Sequence, residues 1–129
     1  MLFNLVALSL LLSSSVAVPL DVDLEKRSCP GVHVFGARET SVSPGYGSSI
    51  TVVNGILGAY SGSTSEAISY PACGGQSSCG GVSYSSSVAQ GIKAVASAVN
   101  AYNSQCPQTK LVLVGYSQVS DEGCHSNCN

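Results

Sequence analysis

The 129-residue sequence has no Trp, a single Met and only 9% charged residues, although 44% of it is apolar. So little charge excludes a polyelectrolyte tail and a chain held open by self-repulsion. A formal charge of −2 gives phosphate backbones nothing to attract, so nucleic acid is excluded as a partner. Without Trp, and without an aromatic row at strand period, there is no obvious stacking face for sugars. The one long apolar run, Leu5 to Leu12, is shorter than the roughly 20 residues that span a bilayer, so no membrane partner is expected. The length allows one domain or part of one. What the chain does have is Cys: six in so short a sequence point to an oxidising compartment.

The N-terminus agrees. Leu5 to Leu12 is followed by small residues and Ser15-Val16-Ala17, the pattern of a secretory signal peptide over residues 1–17. Residues 18–27 then read as a pro-segment ending in the dibasic pair Lys26-Arg27, so the mature, secreted, extracellular chain begins at Ser28 and keeps all six Cys. Its acids are Glu39, Glu66, Asp121 and Glu122 and its bases Arg38, Lys93 and Lys110, which leaves it nearly uncharged. All 14 Gly and most of the Ser fall in this part, which predicts many turns.

Three short apolar runs alternate with two helical patterns. Val32 to Phe35, Ala67 to Tyr70 and Leu111 to Val114 are strand-like, the last apolar on both faces as in a strand covered by helices on each side. Val52, Val53, Ile56, Leu57 and Tyr60 mark one face of a first helix, and Val88, Ile92, Val95, Val99 and Tyr102 one face of a second. Ala89, Ala94, Ala96, Ala98 and Ala101 favour helix in the gaps of the second. The order β-α-β-α-β predicts a parallel sheet with right-handed crossovers, the first half of a three-layer α/β/α sandwich.

The Gly-rich segment Pro71 to Val82 has no Lys-Ser/Thr after its glycines and is not a phosphate loop. Cys73 and Cys79 within it are better read as a disulfide closing a small loop, and Cys29 and Cys106, outside the first strand and second helix, offer a second bridge. Zinc competes for any Cys/His cluster, but these spacings fit no ribbon or finger, so no metal is expected. The chemistry points to Lys110 to Gln118, K-L-V-L-V-G-Y-S-Q. A buried strand followed by G-x-S and a helix start is the setting of a nucleophile elbow, which lifts a serine Oγ out of the sheet. Ser117 is then the nucleophile, and the Gln118 amide N–H faces a developing oxyanion. The second Gly of G-x-S-x-G is replaced by Val119. His33, within an apolar strand, reads as structural.

The segments C-P-G-V-H-V-F-G-A-R-E-T, S-P-G-Y-G-S-S, T-V-V-N-G, Y-P-A-C-G-G-Q-S-S-C-G-G, S-Y-S-S-S-V-A-Q-G and L-V-L-V-G-Y-S-Q resemble the fungal acetylxylan esterases of the cutinase-like serine esterase family, from about Cys29 to Gln118. The resemblance implies an α/β-hydrolase, cutinase-like domain over residues 28–118, cut after the nucleophile strand. It implies Ser117 as nucleophile, Thr40 and the Gln118 N–H as oxyanion donors, and disulfides Cys29–Cys106 and Cys73–Cys79. It further implies acetylated xylan as substrate, hydrolysis of short-chain carboxylic esters, no cofactor and a monomer. The family's catalytic Asp and His have no matching positions, so the chain is expected to be inactive as it stands.

Residues 119–129 do not resemble the family and read as a non-family tail. Val119-Ser120 is how a splice donor reads in frame, which makes a retained intron one origin of it. Ser117, Asp121 and His125 stand in the chain order of a triad, but a helix leaving the elbow carries the latter two away from Oγ. Cys124 and Cys128 can pair with each other or link two chains. Cut here, the third strand becomes an exposed apolar edge, prone to aggregate. The competing readings are a fragment of a cutinase-type lipid ester hydrolase and a non-catalytic, secreted, disulfide-held binding protein.

Overall fold

The computed structural model describes residues 28–119, without the side chain of Val119. The signal peptide 1–17, the pro-segment 18–27, Cys124, Cys128 and the Asp121–His125 pair all lie outside the described residues. Three strands form a parallel sheet in the order β2-β1-β3: β1 (Val32–Ala37), β2 (Thr64–Ala67) and β3 (Lys110–Gly115). The crossovers carry α1 (Ile50–Ala59) and α2 (Tyr84–Gln105). Each packs on its own face of the sheet. Val32 and Val34 of β1 meet Val53, Ile56 and Leu57 of α1, while Phe35 and Ala37 meet Ala94, Val95, Ala98, Val99 and Tyr102 of α2. The period of two along β1 is thus read by two helices, which makes the three layers.

Gly36 lets the α1 side close, since a Cβ there would run into the Tyr46 ring. The Tyr46 hydroxyl shares a hydrogen bond with Ser65 at 2.9 Å. Ser83 caps α2, its Oγ accepting from the Ser86 N–H at 3.2 Å. Before α1, a 3-10 turn at Gly47–Ser49 is held by Glu39, whose carboxylate accepts from the Ser48 amide at 2.9 Å and hydroxyl at 2.6 Å. Those bonds, the hydroxyl's first, hold the Glu39 carboxyl below its usual range. Disulfide Cys29–Cys106 ties the start of the described chain to the end of α2. Alongside it Thr109 Oγ1 donates to the Pro30 carbonyl at 2.7 Å, and the Lys110 N–H to the Gly31 carbonyl at 3.0 Å.

The structure moves two of the sequence expectations. The second strand lies at Thr64–Ala67, ahead of the apolar run Ala67 to Tyr70. It is an edge strand of alternating exposure, and Ile68 and Tyr70 are buried where the chain leaves the sheet and turns into the core. On α1, Val53, Ile56 and Leu57 face the sheet, whereas Val52 and Tyr60 point to solvent, because a short helix on one sheet face buries a narrower stripe than the apolar pattern offers. Among the described residues β3 is also an edge strand, and Leu113 is 58% exposed on it.

Candidate active site

Ala37 of β1 pairs with Gly115 of β3, so both strands leave the sheet at the same level. The β1 connection runs through α1 to one flank and the β2 connection returns across β1 to the other, which makes the gap between the β1 and β3 C-termini a topological switch point. Open parallel sheets bind ligands in that crevice. Thr40 follows β1 on one side of it and Ser117 follows β3 on the other.

Three non-glycine residues adopt left-handed backbone: Ser41 at φ 64°, Ala72 at φ 50° and Ser117 at φ 62°. Each costs about 1–3 kcal/mol and persists only where its surroundings over-determine it. Each also follows the C-terminal end of a different strand. Ser117 opens a 3-10 turn, Ser117–Val119, directly after β3, and its side chain is exposed. The strand, the left-handed serine and the helical turn stand in the order in which the sequence pattern predicts a nucleophile elbow.

The strained residues are tied to one another. The Ser41 N–H donates to the Ala72 carbonyl at 2.6 Å. The next residue, Cys73, is fully buried, and its N–H donates to Ser87 Oγ at 3.0 Å. The Ser87 hydroxyl donates to Gln118 Oε1 at 3.3 Å, and Gln118 Nε2 donates to the Cys73 carbonyl at 3.3 Å. The Gln118 side chain is 0% exposed, so the residue beside the serine is rooted in the core while Ser117 stands above it. Disulfide Cys73–Cys79 closes the loop that carries this contact. Thr40 borders the same loop, its methyl lying 3.2 Å from where a Gly74 Cβ would be.

Arg38 binds the exits of β1 and β2 together. Its Nε donates to the Val42 carbonyl at 2.8 Å, closing the turn that holds Thr40 and Ser41, and its Nη2 donates to the carbonyls of Tyr70 at 2.6 Å and Pro71 at 3.3 Å. The guanidinium lies 5.2 Å from the Tyr70 ring centroid, and the Tyr70 hydroxyl donates to the Arg38 carbonyl.

His33 is elsewhere, near the opposite end of β1. Its Nδ1 is 2.7 Å from Thr64 Oγ1, its ring stacks on Tyr102 at 3.8 Å, and its Nε2 is 3.9 Å from Glu66 without a hydrogen bond. Burial pushes its pKa below the usual value, and Glu66 offsets part of that. Ser87 and Arg38 were missed in the sequence. Ser87 falls in a run of three serines, and only its spacing from Gly91, the other buried small residue of α2, hints at a face pressed against something. No group of three His, Cys, Asp or Glu able to hold a metal occurs among the described residues.

Comparison with known proteins places this geometry in context. A family model described as Cutinase matches residues 28–124. Acetylxylan esterase 2 of Talaromyces purpureogenus is 76% identical over 112 residues, which are 87% of this chain and 48% of that protein. Cutinase 11 of Verticillium dahliae is 64% identical over 110 residues, 85% of this chain and 37% of that protein. The solved catalytic core domain of acetyl xylan esterase from Trichoderma reesei superposes with TM-score 0.75 at 60% identity, over 78% of this chain and 48% of that one. The chain thus spans about half or less of the length of these relatives.

Proposed function

The chain belongs to the cutinase family of carboxylic ester hydrolases, and from that premise we propose that it carries the nucleophile half of a secreted serine esterase site acting on acetylated xylan. The observation that supports this most directly is Ser117, exposed and left-handed at φ 62° at the end of β3. In this reading Ser117 Oγ attacks the acetyl carbonyl, and the Gln118 N–H and Thr40 hold the oxyanion that forms. The sugar leaves as an alcohol, and water then releases acetate from the acyl-serine. Ser117, Gln118, Thr40 and the Cys73–Cys79 loop border the crevice where the sheet order reverses. No metal or organic cofactor takes part.

The reaction also needs a base to take the Ser117 proton and a carboxylate to orient that base. The described residues include no Asp, and their one His is His33, stacked on Tyr102 away from the elbow. We therefore expect the 129-residue chain by itself to show little turnover of p-nitrophenyl acetate and no burst of labelling by a serine-directed phosphonate. Replacing the matching part of the Talaromyces esterase with residues 29–118 is expected to give a chimera that releases acetate from acetylated xylan, and Ser117→Ala to abolish this. A folded but inert chimera, or one whose activity survives Ser117→Ala, overturns the assignment. Because Cutinase 11 is also 64% identical, acyl-chain preference decides the substrate class: preference for acetyl over long acyl esters supports xylan, the reverse cutin. Secretion is supported by the two disulfides, which persist in oxidising compartments.

A further inference from the structure

We propose that the Gln118 side chain and the Ser87 hydroxyl are positioning residues, which hold Ser117 in its left-handed conformation and thereby aim the Gln118 amide N–H. The inference rests on the esterase reading for what the amide is aimed at, but the mechanical coupling does not need it. The ring Cys73–Ser87–Gln118 joins three elements distant in sequence: the exit of β2, the first turns of α2 and the turn after β3. Ser87 and Gln118 are both fully buried, so water does not compete for these bonds. The Gln118 nitrogen belongs to the peptide plane that Ser117 ψ orients. Rooting Gln118 through its side chain fixes one end of that plane, and β3 fixes the chain on the other side of Ser117. Between two fixed ends, Ser117 cannot relax to a right-handed φ without breaking one of them. Such over-determination is what a strained serine requires. Ala72, left-handed and next to Cys73, loads the same ring from the β2 side, and Ser41 is bonded to it.

Gln118→Glu tests this, because its side chain has the same shape and changes one property. Protonated, the carboxyl donates to the Cys73 carbonyl and accepts from Ser87, which restores the ring; ionised, it only accepts and sets an oxygen against that carbonyl. The facing groups, Ser87 Oγ and the Cys73 main chain, do not titrate. The readouts are taken by NMR on the full oxidised chain: hydrogen exchange of the Cys73 amide reports the ring, Ser117 backbone couplings report the elbow, and the Val34 amide in β1 reports the fold. Relative to the unsubstituted chain at each pH, Gln118→Glu is expected to match at low pH. Once its carboxyl ionises, Cys73 exchange should rise about tenfold or more while Ser117 leaves the left-handed region. Ser87→Ala should show both changes at every pH, and Ser104→Ala, on the exposed face of α2, neither. If Cys73 exchange rises and Ser117 stays left-handed, or if Val34 exchange rises in step, the positioning role is overturned. The measurements need no turnover, so an inactive chimera refutes the esterase reading and leaves this result standing.

Discussion

Arg38→Ala is the substitution whose cost follows most directly from the structure. The guanidinium is buried, and it donates to the carbonyls of Val42 at 2.8 Å, Tyr70 at 2.6 Å and, less closely, Pro71 at 3.3 Å. Bonds from a charged donor contribute roughly 1.5–3 kcal/mol each, so the two short ones set a gross loss of about 3–6 kcal/mol. Against this, removing a buried charge recovers part of its desolvation cost. A net loss of about 3 kcal/mol is expected. A domain of this size shifts its Tm by roughly 4–8 °C per kcal/mol, so the midpoint should fall on the order of 15 °C. The assay is thermal and urea unfolding of the oxidised chain followed by far-UV circular dichroism. Arg38→Lys should fall between, because an ammonium can reach one or two of these carbonyls but cannot span them as the planar fork does. A loss below about 0.5 kcal/mol for Arg38→Ala, or a Lys variant as stable as the unsubstituted chain, would refute the reasoning and show the bonds to be no better than those to water.

Two further outcomes follow from the packing. Replacing Cys29 and Cys106 together by Ser removes a bridge across 77 residues. In the chain-entropy model this costs about 4 kcal/mol, which urea unfolding reads as a lower midpoint; an unchanged midpoint would mean that the hydrogen bonds of Thr109 and Lys110 to Pro30 and Gly31 suffice. His33 should make stability depend on pH. Its folded pKa lies below the ordinary 6.5, so between the two values the unfolded chain binds the proton and the folded one does not. Stability is therefore full above about pH 6.5 and is lost progressively as pH falls from there through the lower folded value. Urea midpoints at pH 7.5 and 5 should differ less in His33→Phe than in the unsubstituted chain, and an equal difference would exclude His33 as a source.

The helices and the buried strand were legible because each repeats one physical pattern. Val95, Val99 and Tyr102 recur at helical spacing and do face the sheet, and Val32 to Ala37 is buried throughout because both faces are covered. The edge strand was misplaced because β2, Thr-Ser-Glu-Ala, buries little and so leaves no apolar mark, while its apolar neighbours Ile68 and Tyr70 are buried without being strand. The turn at Ser117 was legible as strand, G-x-S and helix start. The residues that tie it were not, since only its spacing from Gly91 sets Ser87 apart from Ser85 and Ser86.

The sequence by itself determined the alternation of elements and the place of Ser117 just after the third strand, because these follow from periodicity and local backbone preference. Only the tertiary structure decided that Ser117 is held left-handed, that Gln118 turns its side chain inward to Ser87 and Cys73, and that Arg38 spends its donors on main-chain carbonyls. Those outcomes depend on contacts between residues 14 to 45 positions apart, which exist only once the crossovers have brought the strand ends together.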